Sequence, residues 1–207
     1  MRLLSRATLR GTRVFQWAKR RKADSRVDAI AIYLPSGPAR ILDYGCGNMS
    51  FDKALAHRFP SLEITGLDVR AYEGLDLSEH PRLRFQAYEG GPIPFDDTSF
   101  DAVVATAAIH HAESPCASLG DMARVTRSGG RLIVVDDAYR TPLRHAALHL
   151  NHAARELMTG MEPGRPRFLS DDAWQRLFES LSLRVVARRQ VRPFSYLLTK
   201  TIFVLER

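Results

Sequence analysis

Short apolar runs alternate with helical periodicity along most of this chain, and that alternation admits few folds besides a parallel sheet with crossover helices. Strand character falls at residues 40–44, 63–69, 83–88, 101–108 and 131–136. A helix is expected over 27–34, closed by Pro35-Ser36-Gly37-Pro38. Between the first two strands, Phe51, Leu55 and Phe59 recur at helical spacing behind a Ser50 cap and stop at Pro60. Ser114-Pro115 opens another helix, carrying Leu119, Met122 and Val125, with Gly129-Gly130 expected to end it.

The pattern changes after the fifth strand. Residues 138–169 are rich in Arg and His, are interrupted by Pro142, Pro163 and Pro166, and are too long for a simple loop. A helix then starts at Ser170, with Asp171 and Asp172 at its positive end and Trp174, Leu177, Phe178 and Leu181 as its buried stripe. Two β-rich runs, 183–191 and 199–205, have a connection between them that suits an antiparallel pair and is too short for a helical crossover.

At 207 residues, 45% hydrophobic and 26% charged, the chain fits one α/β unit better than two cores. Cys46 and Cys116 belong to no CxxC pair, which argues against a zinc ribbon or a disulfide framework and for a reducing, cytoplasmic location. The net charge of +7 is local: residues 1–23 hold six arginines, two lysines and no acid, and the rest is nearly neutral. A basic nucleic-acid face is therefore not expected on the body at 24–207, and only the 1–23 arm offers contact to an anionic membrane or nucleic acid. Leu3, Leu4, Ala7, Val14, Phe15, Trp17 and Ala18 allow an amphipathic helix there, interrupted at Gly11. The acid-free, Arg-rich start also resembles an organellar transit peptide.

The strongest chemical signal is Ile41-Leu42-Asp43-Tyr44-Gly45-Cys46-Gly47-Asn48-Met49, an apolar strand running into a glycine turn that opens a helix. Glycines there let backbone amides approach a ligand that any Cβ would block. About twenty residues further on, Asp68 ends the next strand, where a carboxylate can accept from both hydroxyls of a ribose.

With these two segments, Tyr88-Glu89-Gly90-Gly91-Pro92-Ile93-Pro94-Phe95 with Ser99-Phe100-Asp101, and Ile109-His110-His111 followed by residues 123–132, make four motifs in order. In that order they resemble the class I S-adenosylmethionine-dependent methyltransferases, in the type 11-like branch. The resemblance implies a doubly wound, mostly parallel seven-stranded sheet with an antiparallel last strand, and methyl transfer to a small-molecule acceptor. It implies a cofactor site of Asp43, Gly45, Cys46, Gly47, Asp68, Val69, Tyr88, Glu89, Gly90 and Thr106. In it, Asp43 would fix the glycine loop and approach the methionine ammonium, Asp68 would take the ribose, and Glu89 would accept from the adenine amino group. Met49 stands where the usual third glycine is missing, so weaker or reshaped cofactor binding is expected.

His110 and His111 end the fourth strand on the rim where such sheets place ligands, and an imidazole there can take a proton from the acceptor. Asp136 and Asp137, after strand five, are rival candidates. His145, His149, His152 and Glu156 would share one helical face; a polar stripe explains them more simply than a metal site, and no metal is expected. Residues 138–169 are read as a lid over the acceptor, with Arg140, Arg144, Arg155, Arg165 and Arg167 as its cations. A noncatalytic methyltransferase-like binding protein is the alternative, favoured by Met49. A dehydrogenase is disfavoured by the reversed last strand. The acceptor, its nucleophilic atom and the oligomeric state are not written in the sequence.

Overall fold

The computed structural model describes residues 13–72, 74–159, 165–192 and 198–207. Strands β1 (Ala39–Tyr44), β2 (Leu62–Asp68), β3 (Leu83–Ala87), β4 (Phe100–Thr106), β5 (Thr126–Asp136), β6 (Arg184–Val191) and β7 (Lys200–Glu206) form one sheet in the order β3-β2-β1-β4-β5-β7-β6. Neighbours are parallel except at β7, which runs antiparallel to both β5 and β6. The near-continuous burial of β1, β4 and the second half of β5 from Leu132 follows from cover on both faces, the condition under which parallel strands lose the in-out alternation.

Helices α1 (Arg13–Ile30) and α2 (Ser50–Arg58) cover one face, where Ile30, Phe51 and Leu55 pack on Ile41, Ile64 and Val104. Helices α3 (Pro115–Val125) and α5 (Asp171–Ser180) cover the other with Leu119, Met122, Trp174 and Phe178 against Leu42, Val103 and Phe203. Trp174 stacks on Phe178 at 5.5 Å and donates its Nε1 proton to the Asp137 carbonyl at 3.1 Å. Ser114 and Ser170 cap their helices by accepting from Ala117 and Ala173.

Four local expectations change. Helix α1 begins at Arg13 and continues as a 3-10 turn over Ala31–Tyr33, running unbroken past residue 23; residues 1–12, with Gly11 and the first apolar positions of the arm, lie outside the described residues. Met49, not Ser50, is the N-cap of α2, and the Ser50 hydroxyl instead bonds the Asn48 side chain at 2.6 Å. Helix α3 ends at Val125, before the glycine pair. Gly129 and Gly130 lie inside β5, where a Cβ on Gly130 would sit 2.7 Å from the Asp101 carbonyl, and they accompany the register shift between Phe100 and Ala102. Residues 138–169 hold helix α4 (Pro142–Thr159), and Ala138–Tyr139 pairs in parallel with Leu169–Ser170, so both ends of the excursion are fastened at one place. Among the described residues no helix is long and apolar enough to cross a membrane.

Met49 takes the left-handed conformation of the absent third glycine, φ 55°, with its side chain fully buried. Room for it comes from β2: a Cβ on Gly66 would lie 2.8 Å from Cys46 Sγ and 2.9 Å from Met49 Cε. Below the same loop, Asp43 and Asp52 are fully buried side by side, with Arg26 of α1 near both and its Nη1 donating to Thr106 at 3.3 Å. Two buried anions side by side repel, which favours the protonated form. Burial first, and then the facing acid, pushes Asp43 well up; burial pushes Asp52 up to about 7 against the opposing pull of backbone hydrogen bonding, of Asp43 and, least, of Arg26.

Two outcomes are expected. Gly66→Ala overpacks the loop and lowers stability by about 1–3 kcal/mol in denaturant titrations, whereas Gly37→Ala, which meets nothing within 4 Å, leaves it nearly unchanged. Asp52 has a folded value near 7 against about 3.9 in the unfolded chain, so its burial lowers stability progressively as pH rises between these values and fully above the higher one. Asp52→Asn should therefore gain most in denaturant midpoint near pH 8 and lose that gain towards about pH 4; a gain independent of pH would remove Asp52 from this account.

Candidate functional site

Strand order reverses between β1 and β4, and the loops that leave their carboxyl ends diverge to open a crevice. The Leu67 carbonyl accepts from the amides of both Gly45 (2.8 Å) and Cys46 (3.2 Å), and Asp68 accepts from Gly47 N at 2.8 Å and Arg70 N at 2.9 Å. Gly45 (φ 72°) cannot be replaced here, because its Cβ would lie 2.6 Å from the Ala108 Cβ of the loop after β4. Side-chain-free backbone thus faces a cavity of about 1470 Å³.

Of the expected cofactor residues, Gly45, Gly47, Asp68, Val69, Tyr88, Glu89 and Gly90 line that cavity. Asp43, Cys46 and Thr106 do not; they are buried around its floor, with Asp43 in the carboxyl pair, Thr106 bonded to Arg26, and the Cys46 thiol pushed up by burial and by Asp43. A smaller cavity of about 400 Å³, lined by Tyr139, Arg140, Asp171 and Arg188 among others, shares none of these residues.

Several wall residues were not singled out from the sequence. Tyr44 and Ser118 bond through their hydroxyls at 3.0 Å, and burial together with Tyr44 pushes the Tyr88 phenol up. Arg124 of α3 holds the chain beside the cavity through the carbonyls of Phe95 (2.8 Å) and Ile93 (2.9 Å) while pairing with Asp121. Ser118, Asp121 and Arg124 recur every three residues along α3, a polar stripe that helical spacing could have revealed.

At the other end of the cavity, His111 is exposed and lines the wall, whereas His110 is buried. Asp136 receives Nδ1 of His110 at 2.6 Å and the His110 amide at 3.2 Å. Burial raises this carboxyl, but His110, Lys200 and the Asp137 amide outweigh burial and hold it at about 2. Asp137 is ion-paired with Lys200 and is not in the cavity wall.

The segment over 138–169 crosses this end. Arg167 and Glu156 line the cavity, with the Arg167 amide donating to the His110 carbonyl at 2.7 Å. Arg140 pairs with Asp171, and Arg144 donates to the Thr199 carbonyl at 2.6 Å, so both are engaged elsewhere. The helical face of His145, His149, His152 and Glu156 forms on α4: His145 and His149 approach to 3.1 Å, and His152 Nδ1 lies 3.3 Å from Glu156.

Residues 42–134 match the family model described as a methyltransferase domain. The demethylmenaquinone methyltransferase of Deinococcus radiodurans is 32% identical over 114 residues, 52% of this chain and 47% of the relative. An O-methyltransferase of Pyrenophora dematioidea is 30% identical over 183 residues, 80% of this chain and 63% of the relative. The chain therefore spans about half to under two thirds of the length of these curated relatives. A solved S-adenosylmethionine-dependent methyltransferase from Thermotoga maritima superposes with a TM-score of 0.66 at 16% identity, covering 93% of this chain and 92% of that one. Over residues 42–134 the chain is similar in sequence to methyltransferase domains, and over most of its length it shares the fold of a solved S-adenosylmethionine-dependent methyltransferase.

Proposed function

We propose that the protein transfers the methyl group of S-adenosylmethionine to a small-molecule acceptor seated under the 138–169 segment. The observation that carries this reading is the single cavity that joins the Gly45–Gly47 backbone and Asp68 at one end to His111, Glu156 and Arg167 at the other. The residues fit the donor on two counts: Gly45 and Gly47 hold positive φ with no Cβ in the way, and Asp68 keeps acceptor capacity beyond its two amide bonds for ribose hydroxyls. Glu89 and Tyr88 border the adenine end, and Asp43 supports the loop from beneath. The bound sulfonium supplies an activated methyl group, so the chain's main task is orientation.

At the acceptor end His111, Glu113 and Glu156 are wall groups able to receive a proton, and Arg167 offers a cation to an anionic oxygen. His110, locked on Asp136, is a positioning residue in this scheme. Asp137 neutralises Lys200 and holds the end of β5 to β7. The likeness to demethylmenaquinone and O-methyltransferases favours a phenol or quinol type of acceptor, whose oxygen or activated ring carbon becomes the nucleophile.

Asp68→Ala and Gly47→Val are each expected to weaken S-adenosylmethionine binding by tenfold or more in calorimetric titration and to lower the unfolding midpoint, Asp68→Ala through its two lost backbone bonds and Gly47→Val through valine at positive φ. Parent-like binding in both variants would place the donor elsewhere. Arg167→Gln should raise the acceptor KM by about tenfold at unchanged donor affinity, measured with isotopically labelled methyl donor on a panel of phenols and quinols; unchanged kinetics would move the acceptor away from this segment.

A further inference from the structure

Five of the seven histidines meet at one place in the fold. His110 and His111 leave β4, His145, His149 and His152 come from α4, and Phe168 packs among them, stacked on His110 at 5.3 Å and edge-on to His149 and His152 at 5.0 and 6.0 Å. From this group we infer that His110, His111 and His152 form a binding site for a divalent transition-metal ion of the zinc class, open to the donor-acceptor cavity.

Three observations converge on that trio. One ring nitrogen from each of the three lies within 4.8 Å of those of the other two. A tetrahedral ion with bonds of about 2.0–2.1 Å needs nitrogens roughly 3.4 Å apart, so the rings have about an ångström to close, within reach of small side-chain rotations.

The second observation is the carboxylate behind each buried ring. Asp136 sits on Nδ1 of His110 at 2.6 Å, and Glu156 faces Nδ1 of His152 at 3.3 Å. With Nδ1 of His110 engaged by Asp136, Nε2 is the other ligand atom of that ring. A carboxylate on the far nitrogen is what orients metal-bound imidazoles and strengthens them as donors. Asp136 and Glu156 also bring two negative charges near the ion, offsetting Arg167; Lys200 is already matched by Asp137.

Third, the trio has one open side. His110 and His152 are buried and walled by Phe168, whereas His111 is exposed and lines the cavity. Three nitrogen ligands with a fourth position facing a cavity suit zinc, cobalt or nickel, and not calcium or magnesium, which take oxygen sets. The ligands come from two segments far apart in sequence, which is why the spacing of His145, His149, His152 and Glu156 along one helix did not disclose the site.

An ion there faces the same cavity as Asp68 and Gly47, so its open position suits a phenolate, enolate or carboxylate oxygen of the acceptor. That consequence rests on the methyl-transfer reading; metal binding itself does not.

The test is a cobalt(II) titration of the full, tag-free chain, read by visible absorption and followed by displacement with zinc(II). One equivalent is expected to bind with a spectrum of four-coordinate type. His111→Ala and His152→Ala should each weaken binding at least tenfold, and Glu156→Gln by about tenfold. His145→Ala should leave the spectrum and affinity as in the parent. Because His111 is exposed, its replacement tests the site without burdening the core; unfolding midpoints of all variants check this. Absence of saturable cobalt binding, binding that persists in both His111→Ala and His152→Ala, or loss in His145→Ala alone would overturn the inference. Calorimetry with S-adenosylmethionine on the same samples keeps its failure distinct from failure of the methyl-transfer reading.

Discussion

The Leu67 carbonyl accepts from two successive amides of the glycine loop, and the next residue, Asp68, accepts from a third. These bonds tie the end of β1 to the end of β2, and the rest of the site depends on them. They turn the loop after β1 back towards β2 while the loop after β4 turns the other way, so the crevice opens where the strand order reverses. They also commit the Asp68 carboxylate to a fixed orientation before any ligand arrives. A ligand that meets preset acceptors loses less affinity to ordering the protein than one that must organise them.

Fixing the loop so tightly has a cost in the layer beneath. Met49 occupies a left-handed position that glycine would take more easily, and it is tolerated because Gly66 leaves space for its side chain and for Cys46. Asp43 and Asp52 are buried beside Arg26, and burial of two full negative charges there is strongly disfavoured, which is why both carboxyls are pushed up. Helix α1 supplies that arginine. That helix runs across residue 23, where the basic arm was expected to give way to the domain, and reaches Thr106 through Arg26.

Sheet class, strand sequence, the reversed last strand and the glycine loop were legible because each rests on local pattern: apolar runs, helical period, a short connection, a Gly-x-Gly turn. What local pattern misassigned were junctions whose geometry is set by a neighbour. Gly129-Gly130 reads as a helix stop, but the close approach of Asp101 makes it a feature within β5. Ser50 reads as a cap, but Asn48 takes its hydroxyl. At the site, residues contributed by a motif were visible, while Tyr44, Ser118 and Arg124 have roles that arise only when α3 is laid beside β1 and the Ile93–Phe95 chain. The histidines show the limit most plainly, since the His110-His111 pair and the stripe on α4, each noticed by itself, become one cluster by folding.

The reversed strand has a chemical consequence as well as a topological one. Parallel strands bring their carboxyl ends to the functional rim, but β7, running the other way, brings its first residues there, and Thr201 pairs with Asp136. Lys200, buried at 3% exposure, is thereby delivered to the acids that end β5. Without it, Asp136 and Asp137 would be adjacent buried carboxylates with one imidazole between them, and repulsion would protonate one. With Lys200 on Asp137, Asp136 is held low by His110, Lys200 and the Asp137 amide, and it faces Nδ1 of His110 at 2.6 Å, which leaves Nε2 as the ring's other nitrogen. A single strand reversal thus delivers Lys200 to the acids behind His110, two strands away in the sheet and beside the cavity wall formed by His111.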